Sequence, residues 1–441
     1  MVSYLTSQIY SLAETTSFKL TDQHTFRHKA LQWGAQFSVC CLLDSNAYPH
    51  DEYSSADWTL AVDALDFVSA RSNSFESLRQ FIDSAQERVY GFLTYDLKNQ
   101  IENLSSTNID VLDFPLLYFF KPRYIIEIKD GRAIFNRNYP EAFDLYERIM
   151  NTTFHPSSTL HGPSSLISRT KKATYLQNVT QIKEQIKAGD FYEMNYCCEF
   201  YAEASQIDPL IVFDKLNAKS RAPFSSFFKL NDKYLLCSSP ERFLKKQGNK
   251  VISQPIKGTI KKGNSDAENE ELKKQLLDSE KERAENVMIV DLVRNDLAKN
   301  AKPGTIRVEE LFGMYEFPTV HHMISTVTAE LKDGVHPVDV IRDSFPMGSM
   351  TGAPKVEVMK NIEAYEDQKR GLYSGSVGYF TPDGDFDLNV VIRSIFYNSK
   401  KEYISIQVGS AITHDADPVS EYDELLLKAK GMLDALNATI I

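Results

Sequence analysis

Stretches rich in apolar and aromatic residues in the first third of the chain predict buried β-strands. They are FSVCCLLDS (37–45), RVYGFLTYDL (88–97) and FPLLYFFKPRYIIEIKDGRAIFNRN (114–138). Short apolar runs of this kind are typical of strands that are covered on both faces. We therefore expect several core strands here, separated by helical segments.

The second half of the chain alternates predicted strands with amphipathic helices. The predicted strands are 233–240, 250–258, 378–397 and 401–413. Asp383-Gly384 is a strong hairpin signal within the third of them. A helix is predicted over 173–190 that ends at Gly189, and a closing helix begins near Asp417-Pro418, where an aspartate cap precedes proline. The mixture favours an α/β fold of the α+β kind with large sheets.

Residues 151–170 are rich in serine, threonine and proline and predict a linker. We therefore divide the chain into an N-terminal portion, 1–150, and a C-terminal portion, 165–441. The chain has 441 residues, of which 42% are hydrophobic, so it can bury a large core.

Charge and segment composition limit the partners and the compartment that we expect. A formal net charge of −11 argues against a nucleic-acid-binding surface. No run of eighteen apolar residues is present, and the first twenty residues lack the pattern of a signal peptide, so we expect no membrane span and no secretion. The five cysteines match neither a disulfide framework nor a zinc motif, which favours the cytoplasm.

The predicted helix 279–299 places two glutamates on one face. Glu282 and Glu285 are three residues apart, and the same stripe continues through Ile289 and Leu292. Because a buried carboxylate must be paired, hydrogen-bonded or metal-bound, this face is a candidate site.

The closing helix repeats the pattern with Glu421 and Glu424, followed by Lys428 and Met432. Four carboxylates without histidine or cysteine would form an oxygen-only site, which favours Mg²⁺. Ordinary solvated ion pairs are the alternative interpretation of this spacing.

Lys257 stands in the segment PIKGTIKKG (255–263), between Pro-Ile and Gly-Thr. Proline fixes its own φ, and Gly258 allows close approach of another group. The segment therefore predicts either a surface turn or a lysine that is directed into a pocket.

Two further positions are candidates for binding. Arg393 is predicted on a strand with Val391 and Ile395 on its own face, where it requires a carboxylate, structural or from a substrate. One of the adjacent His321 and His322 should point inward, and such a histidine is more often structural than catalytic.

The segment 346–366 places small residues before a predicted helix, where free N–H groups can hold an anion such as a carboxylate. No Walker motif and no G-x-G-x-x-G fingerprint is present, so the sequence gives no reason to expect ATP or NAD.

Taken together and in order, these segments resemble the chorismate-utilising enzymes, most closely their aminodeoxychorismate synthase component I branch. The segments are GDFYEMNY (189–196), SSPERFL (238–244), PIKGT (255–259), AENVMIVDLVRNDL (284–297), VHHMIS (320–325), GSMTGAPK (348–355), RGLYSGSVGYF (370–380), VIRS (391–394) and EYDELLLKA (421–429). They cover nearly all of the C-terminal half. The N-terminal half is similar only through LLDS (42–45) and GFLTYDL (91–97).

The resemblance implies an anthranilate synthase component I-like fold, with two large sheets packed face to face and helices outside. It also implies chorismate as the substrate and Mg²⁺ as the cofactor. A glutamine amidotransferase subunit would supply ammonia, and the chain would act as a monomer or homodimer.

The resemblance also assigns roles to individual residues. Glu285 and Glu424 would bind the metal, supported by Glu282 and Glu421. Lys257 would be the nucleophile, Glu241 the general acid, and His322 would lie beside the ring. The remaining implied binding residues are Ser45 (in the segment that can hold an aromatic amino acid in the family), Gly258, Thr259, Thr351, Tyr373, Arg393, Gly409, Ser410 and Lys428.

Lys257 separates the branches of the family, because anthranilate synthases typically have alanine there. In the mechanism that the resemblance implies, Lys257 adds to C2 of chorismate, and ammonia then enters at C4. We expect nearby cations and burial to lower its pKa. One departure from the family pattern is Glu193, which stands where glutamine is common.

Three alternatives remain open at this stage. The chain could be an anthranilate synthase component I, or an isochorismate or salicylate synthase in which Lys257 activates water. It could also be a non-catalytic regulatory subunit that binds chorismate or tryptophan.

Overall fold

A computed structural model describes residues 15–54, 57–153 and 162–441. The predicted linker at 151–170 is therefore described only in part. The expectation that no signal peptide is present concerns mainly residues 1–14, which lie outside the described residues.

The described residues form strands in both portions of the chain. They are β1 (Thr16–Lys19), β2 (Val39–Asp44), β3 (Trp58–Val68), β4 (Val89–Leu93), β5 (Leu117–Lys129), β6 (Arg132–Phe135), β7 (Ser165–Ser168), β8 (Glu193–Ala202), β9 (Phe224–Leu230), β10 (Lys233–Ser239), β11 (Arg242–Gln247), β12 (Lys250–Gln254), β13 (Ile256–Lys261), β14 (Arg307–Glu316), β15 (Val320–Glu330), β16 (Gly352–Ala353), β17 (Ser376–Phe380), β18 (Phe386–Asn389), β19 (Ser394–Asn398), β20 (Tyr403–Ile412) and β21 (Thr439–Ile440).

Helices connect and cover these strands. They are α1 (Gln23–Gly34), α2 (Ser74–Ser84), α3 (Lys98–Ile101), α4 (Glu141–Met150), α5 (Lys172–Ala188), α6 (Pro209–Ser220), α7 (Asp266–Asp278), α8 (Glu280–Ala298), α9 (Pro337–Ser344), α10 (Lys355–Tyr365) and α11 (Pro418–Leu436), with 3₁₀ turns at Tyr95–Leu97 and Gly348–Met350.

Most strands pair antiparallel in one network that forms two layers. The first layer runs in the order β8, β20, β19, β10, β9, β2, β3, β5. The second runs β4, β17, β18, β11, β12, β15, and it begins where β4 pairs with β5. The long strand β5 therefore links the two layers.

The two layers pack face to face through aromatic side chains. The ring of Phe92 in β4 lies 5.1 Å from that of Phe228 in β9, although these two strands do not pair with each other. Edge-to-face contacts of this kind are favourable for aromatic rings in a core. The structure confirms the expected two-sheet packing, and it adds that the layers are continuous through β5.

Helices cover the outer face of the first layer. Their apolar side chains pack against that face in a hydrophobic cluster that is separate from the one between the two layers. Phe26 in α1, Leu145 in α4, Val179 in α5, Phe213 in α6 and Leu425 in α11 are all buried in it. Because β2 pairs with β9 and β4 with β17, strands of the N-terminal portion lie between strands of the C-terminal portion.

Several local predictions are confirmed. Gly189 caps α5 in the left-handed region with φ 89°. The side chain of Asp417 accepts a hydrogen bond from the Ser420 amide at the start of α11, one residue before Pro418. Asp383-Gly384 lies in the turn between β17 and β18.

The prediction for Arg393 is wrong. The predicted strand 378–397 is interrupted after Asn389 and resumes at Ser394, and Arg393 lies in the interruption with φ 53°. A left-handed residue breaks the alternation of a strand, so Val391 and Ile395 do not share a face with it in the predicted way.

Within the described residues, no helix combines the length and the apolar character needed to cross a bilayer. Cys40, Cys41, Cys197, Cys198 and Cys237 are all free and buried.

Candidate active site

Lys257 stands at an irregularity in the second layer. The pairing of β13 with β15 shifts register between Ile256 and Thr259, and Gly258 adopts φ 97°. A Cβ at Gly258 would lie 3.1 Å from Cβ of Met323, so both the dihedral angle and the limited space favour glycine. This bulge sets the direction of the lysine side chain.

The Lys257 side chain is buried among carboxylates. Its Nζ donates a hydrogen bond to Oε1 of Glu193 at 2.5 Å. Burial acts to lower the pKa of Lys257, but the nearby carboxylates of Glu193, Glu285 and Glu241 outweigh it and raise that pKa above its usual value. The expectation that neighbouring cations lower this pKa is therefore wrong, because the nearest charges are negative.

Glu241 follows β10 and is buried near Lys257. Its Oε1 accepts a hydrogen bond from the Ser349 hydroxyl at 2.7 Å. Burial raises the pKa of Glu241 to about 7, although the bond from Ser349 and the charge of Lys257 act in the opposite direction. A large fraction of the carboxyl group is thus protonated near neutral pH, as a general acid requires.

His322 pairs with Thr259 across β15 and β13. The Thr259 hydroxyl and the His322 Nδ1 are 2.8 Å apart. Burial, followed by the positive charges of Arg393 and Lys428, lowers the pKa of His322 to about 3. His322 is therefore uncharged at neutral pH.

The expectation that only one of the two histidines points inward is wrong. His321 and His322 are both buried, because both faces of β15 are covered. His321 Nε2 lies 3.1 Å from the side-chain oxygen of Asn269 in α7, which indicates a structural role for His321.

The four predicted metal ligands differ in exposure. Glu285 and Glu421 are buried and Glu282 is half-buried, but the side chain of Glu424 is 48% exposed. Glu424 is therefore less covered than the other three, although it faces the same group of side chains, Glu282 and Lys257 among them. Spacing along a helix defines a common stripe but not how far the neighbouring elements cover it.

Lysine side chains connect these carboxylates. Lys281 Nζ lies 3.4 Å from Oε1 of Glu421 and 3.9 Å from Oε1 of Glu285, so it links α8 with α11. Lys428 Nζ lies 2.7 Å from Oε1 of Glu424. The helices thus face each other with opposite charges interleaved.

These carboxylates have features that suit a hard divalent cation. Oε1 of Glu285 is buried without a hydrogen-bond partner among the described residues, and burial raises the pKa of Glu285 to about 7. Across residues 15–54, 57–153 and 162–441, no three histidine, cysteine or acidic side chains lie close enough to hold a metal ion by themselves. The set suits Mg²⁺, which commonly completes its coordination with waters and an anionic ligand.

Arg393 is the candidate for binding a substrate carboxylate. Its side chain is partly exposed, and its guanidinium makes no hydrogen bond or ion pair with another residue that the structure describes. The nearby Tyr373 is buried, with its hydroxyl 3.8 Å from Sγ of Cys197. A partly buried guanidinium without a protein partner favours binding of an anionic ligand.

The remaining predicted pocket residues lie on β20, α11 and the 3₁₀ turn. Lys428 Nζ donates to the carbonyl oxygen of Gly409 at 3.0 Å, and the Ser410 hydroxyl donates to Glu421. Thr351 is fully buried, and its carbonyl oxygen accepts a hydrogen bond from the Asn195 amide at 2.8 Å. These contacts connect β20 to the carboxylate helices and the 3₁₀ turn to β8.

Ser45 does not join this group. It lines a separate cavity with Asp51, Arg242 and Asp387, and its hydroxyl donates to the Asp57 carbonyl oxygen at 3.0 Å. Arg242 is fully buried in an ion-pair cluster, 2.8 Å from Asp51 and 2.9 Å from Asp387.

Sequence reasoning missed three contacts in the site. Ser349 and Lys281 were assigned no role, and Glu193 was noted only as a departure from the family pattern. A signal for Glu193 exists, since a carboxylate on a strand that is rich in apolar and aromatic residues requires a buried partner. The position of that partner, 64 residues along the chain, cannot be derived from spacing.

Comparisons with known proteins identify relatives of this chain. Residues 38–434 match the family described as chorismate binding enzyme. Aminodeoxychorismate synthase component 1 of Salmonella typhimurium is 33% identical over 347 residues, which cover 78% of this chain and 76% of that protein. Its counterpart in Bacillus subtilis is 32% identical, with the same coverage. The probable chloroplastic aminodeoxychorismate synthase of rice is 40% identical over 285 residues, 64% of this chain, but the match spans only 32% of that longer protein.

Two solved structures have the same fold at low sequence identity. Anthranilate synthase component I of Streptococcus pneumoniae is 22% identical with a TM-score of 0.74, covering 87% of this chain and 94% of that one. The menaquinone-specific isochorismate synthase of Escherichia coli is 17% identical with a TM-score of 0.75, covering 96% and 94%. The match over residues 38–434, together with the bacterial relatives that align along most of their length, shows that the chain belongs to the chorismate-binding enzyme family.

Proposed function

We propose that this protein acts as an aminodeoxychorismate synthase component 1, which converts chorismate and ammonia to 4-amino-4-deoxychorismate, a precursor of para-aminobenzoate and folate. The observation that carries the proposal is the buried Lys257, whose Nζ lies beside Glu193 and near Glu241. The resemblance to the bacterial relatives of that name supports the same branch.

In the proposed reaction, the uncharged amine of Lys257 attacks C2 of chorismate. The conjugated double bonds of the ring shift, and the bond between C4 and its oxygen breaks. Glu241 gives its proton to the departing hydroxyl group, which leaves as water. The raised pKa of Glu241 supports this assignment, because the acid must be protonated near neutral pH.

Ammonia then attacks C4 of the covalent adduct. The bond between C2 and the lysine nitrogen breaks, and its electron pair returns to Lys257 as a neutral amine. One proton of the new ammonium group at C4 restores Glu241 to its acid form. The net change replaces the C4 hydroxyl with an amino group and releases one water molecule.

Anionic substrate binding is assigned to Arg393, with Lys428 as a second nearby cation. Arg393 is partly exposed and has no ion-pair partner among the described residues. His322, uncharged beside Thr259, would line the pocket without adding charge.

Mg²⁺ is the proposed cofactor, bound by Glu285 and Glu424 and supported by Glu282 and Glu421. When bound, it would neutralise carboxylate charge on chorismate and organise the dianion. Oε1 of Glu285 supports this assignment, because it is buried and accepts no hydrogen bond from a described residue, with Lys281 Nζ 3.9 Å away.

We assign the ammonia supply to a separate glutamine amidotransferase. Burial raises the pKa of all five cysteine thiols of this chain, which argues against any of them as the nucleophile of glutamine hydrolysis. Activity with ammonium salts should therefore require no second protein, whereas activity with glutamine should require the amidotransferase.

The proposal is tested by product identity with wild type and with Lys257→Ala, using chorismate, Mg²⁺ and an ammonium salt, read by mass spectrometry. Wild type should form 4-amino-4-deoxychorismate, and Lys257→Ala should form at most a small fraction of it. Anthranilate as the main product, or a product with oxygen at the new position, would favour the other branches. Full activity of Lys257→Ala would show that the covalent role of Lys257 is wrong.

A further inference from the structure

Glu193 forms a buried, hydrogen-bonded pair with Lys257. Its carboxylate is fully buried, and Oε1 accepts the bond from Lys257 Nζ. Its other oxygen, Oε2, is buried and has no hydrogen-bond partner among the described residues. Among the described residues, Lys257 is thus the one hydrogen-bond donor to this carboxylate, and a buried carboxylate with so few donors is poorly stabilised as an anion.

The backbone holds Glu193 firmly in place. Glu193 begins β8 and pairs with Ala353 in β16, and a Cβ on Gly352 would lie 2.0 Å from the Glu193 carbonyl oxygen. The Tyr192 amide donates to the Ala353 carbonyl oxygen at 2.8 Å. This close backbone packing fixes the position from which the carboxylate meets Lys257.

The pair presents a chemical problem for the reaction. An ammonium group has no lone pair, so Lys257 must lose a proton before it attacks C2. The other carboxylates that face Lys257 have different assignments: Glu241 must carry a proton for the leaving hydroxyl, while Glu282, Glu285 and Glu424 on the two helices belong to the proposed metal site. Of the carboxylates that the structure places near Lys257, Glu193 is the one left without another assignment, and it already accepts a hydrogen bond from Lys257.

We propose that Glu193 positions Lys257 and holds its proton during the covalent step, an inference that rests on the proposed function above. Before attack, the proton moves from Lys257 Nζ to the Glu193 carboxylate, which leaves a neutral amine and a neutral acid. The amine then forms the bond to C2. After ammonia expels the lysine, Glu193 returns the proton to the amine, so the cycle neither gains nor loses a proton at this pair.

This arrangement predicts a particular pH dependence. Because the proton stays inside the pair, formation of the nucleophile needs no exchange with solvent in wild type. In Glu193→Gln, Lys257 must lose its proton to solvent, so the reactive fraction rises about tenfold per pH unit until the lysine is neutral. Glutamine has nearly the same size and shape as glutamate and fits the space that Glu193 fills, so a folded variant is expected.

The experiment measures the Lys257–chorismate adduct directly. Each full-length protein is mixed with chorismate and Mg²⁺ without ammonia at several pH values between about 6 and 8, and adduct formation is timed by intact mass, as a gain of chorismate minus water. The reported quantity is the rate of the variant divided by that of wild type at each pH. The titration of Glu241 is common to both proteins and cancels in this ratio. Loss of the Glu193 charge also lowers the pKa of Glu285, which favours the variant at acid pH and therefore acts against the expected rise of the ratio.

We expect the ratio for Glu193→Gln to be lowest at acid pH and to rise about tenfold per pH unit. The ratio for Glu193→Asp, which keeps a carboxylate, should not change with pH. Glu199→Gln is the matched control, because Glu199 is another buried carboxylate on β8 that binds Arg169 instead of Lys257. Its ratio should also be independent of pH.

The outcomes distinguish a failure of the role of Glu193 from a failure of the proposed covalent role of Lys257. Adduct formation in wild type with a pH-independent ratio for Glu193→Gln would overturn the proton-holding role alone. If wild type forms no adduct at any pH, the covalent role of Lys257 is wrong and the role of Glu193 is wrong with it.

Discussion

The hydroxyl of Ser349 donates a hydrogen bond to Oε1 of Glu241 at 2.7 Å, and both side chains are buried. This bond stabilises the ionised form of Glu241 and so opposes the effect of burial on its pKa. Ser349 thereby limits the pH range over which Glu241 can act as an acid.

Ser349→Ala should therefore extend the activity to higher pH. Without the hydrogen bond the carboxylate form is less stable, so the pKa of Glu241 rises further above about 7. The alkaline limb of kcat/KM should move upward by about 0.5–1 pH unit. Ser253→Ala is the matched control. Ser253 lines a small cavity together with Glu241 and Ser349, but its hydroxyl donates to the Phe243 carbonyl oxygen and not to Glu241. An unmoved limb in Ser349→Ala would argue against Glu241 as the acid.

Much of the fold follows from local sequence signals, because the forces that set them are local. Gly189 ends α5 since a left-handed cap favours glycine, and Asp417-Pro418 starts α11 since the cap and the fixed φ suit a first turn. Arg393 shows the limit of this reasoning. Its apolar neighbours predicted a strand, but Arg393 has a left-handed backbone conformation in the folded chain. No local sequence pattern predicts that conformation.

Fewer features of the candidate site could be predicted from the sequence, because they depend on contacts between residues that are far apart in the chain. The carboxylate stripes on α8 and α11 were visible from their spacing, but the exposure of Glu424 depends on the elements around it. The partner of Lys257 reversed the expected direction of its pKa shift, since Glu193 comes from another strand. Such pairings require the three-dimensional structure.

His322 should make the folded protein sensitive to mild acid. Its pKa falls from 6.5 to about 3 on folding, so between these values the unfolded chain binds a proton that the native state does not. Unfolding free energy should therefore decrease as pH falls through this window, by about 1.4 kcal/mol per pH unit from this residue. Urea titrations at about pH 7 and about pH 5 should show a smaller decrease for His322→Phe than for wild type. Equal decreases would show that His322 is not held neutral.

Glu285→Gln should weaken the response to Mg²⁺. Glutamine keeps the shape of the side chain but removes the negative charge that a hard cation prefers. The Mg²⁺ concentration for half-maximal activity should rise at least about tenfold. The rise in melting temperature on adding Mg²⁺, seen without substrate, should shrink in parallel. Glu357→Gln is the control, because Glu357 on α10 pairs with the exposed Lys360. A Mg²⁺ response of Glu285→Gln equal to wild type would remove Glu285 from the proposed metal site.

Gly258→Ala should disturb both folding and catalysis, and Gly248→Ala offers a control with the same kind of backbone. Both glycines have positive φ, 97° and 58°, so alanine at either costs about 1–2 kcal/mol of folding free energy. Nothing lies within 4 Å of a Cβ at Gly248, whereas at Gly258 it would meet Met323 and, at 3.3 Å, Oε2 of Glu282. Gly258→Ala should therefore unfold at lower urea than Gly248→Ala.

Gly258→Ala and Gly248→Ala should differ more in activity than in stability. Gly258 adjoins Lys257, so any shift of the bulge also moves the nucleophile, and a displacement near 1 Å costs about a hundredfold in rate. Gly248 lies in the turn between β11 and β12, so Gly248→Ala should keep nearly full kcat wherever it remains folded. Equal loss of kcat in both variants would show that the backbone at Gly258 does not set the position of Lys257.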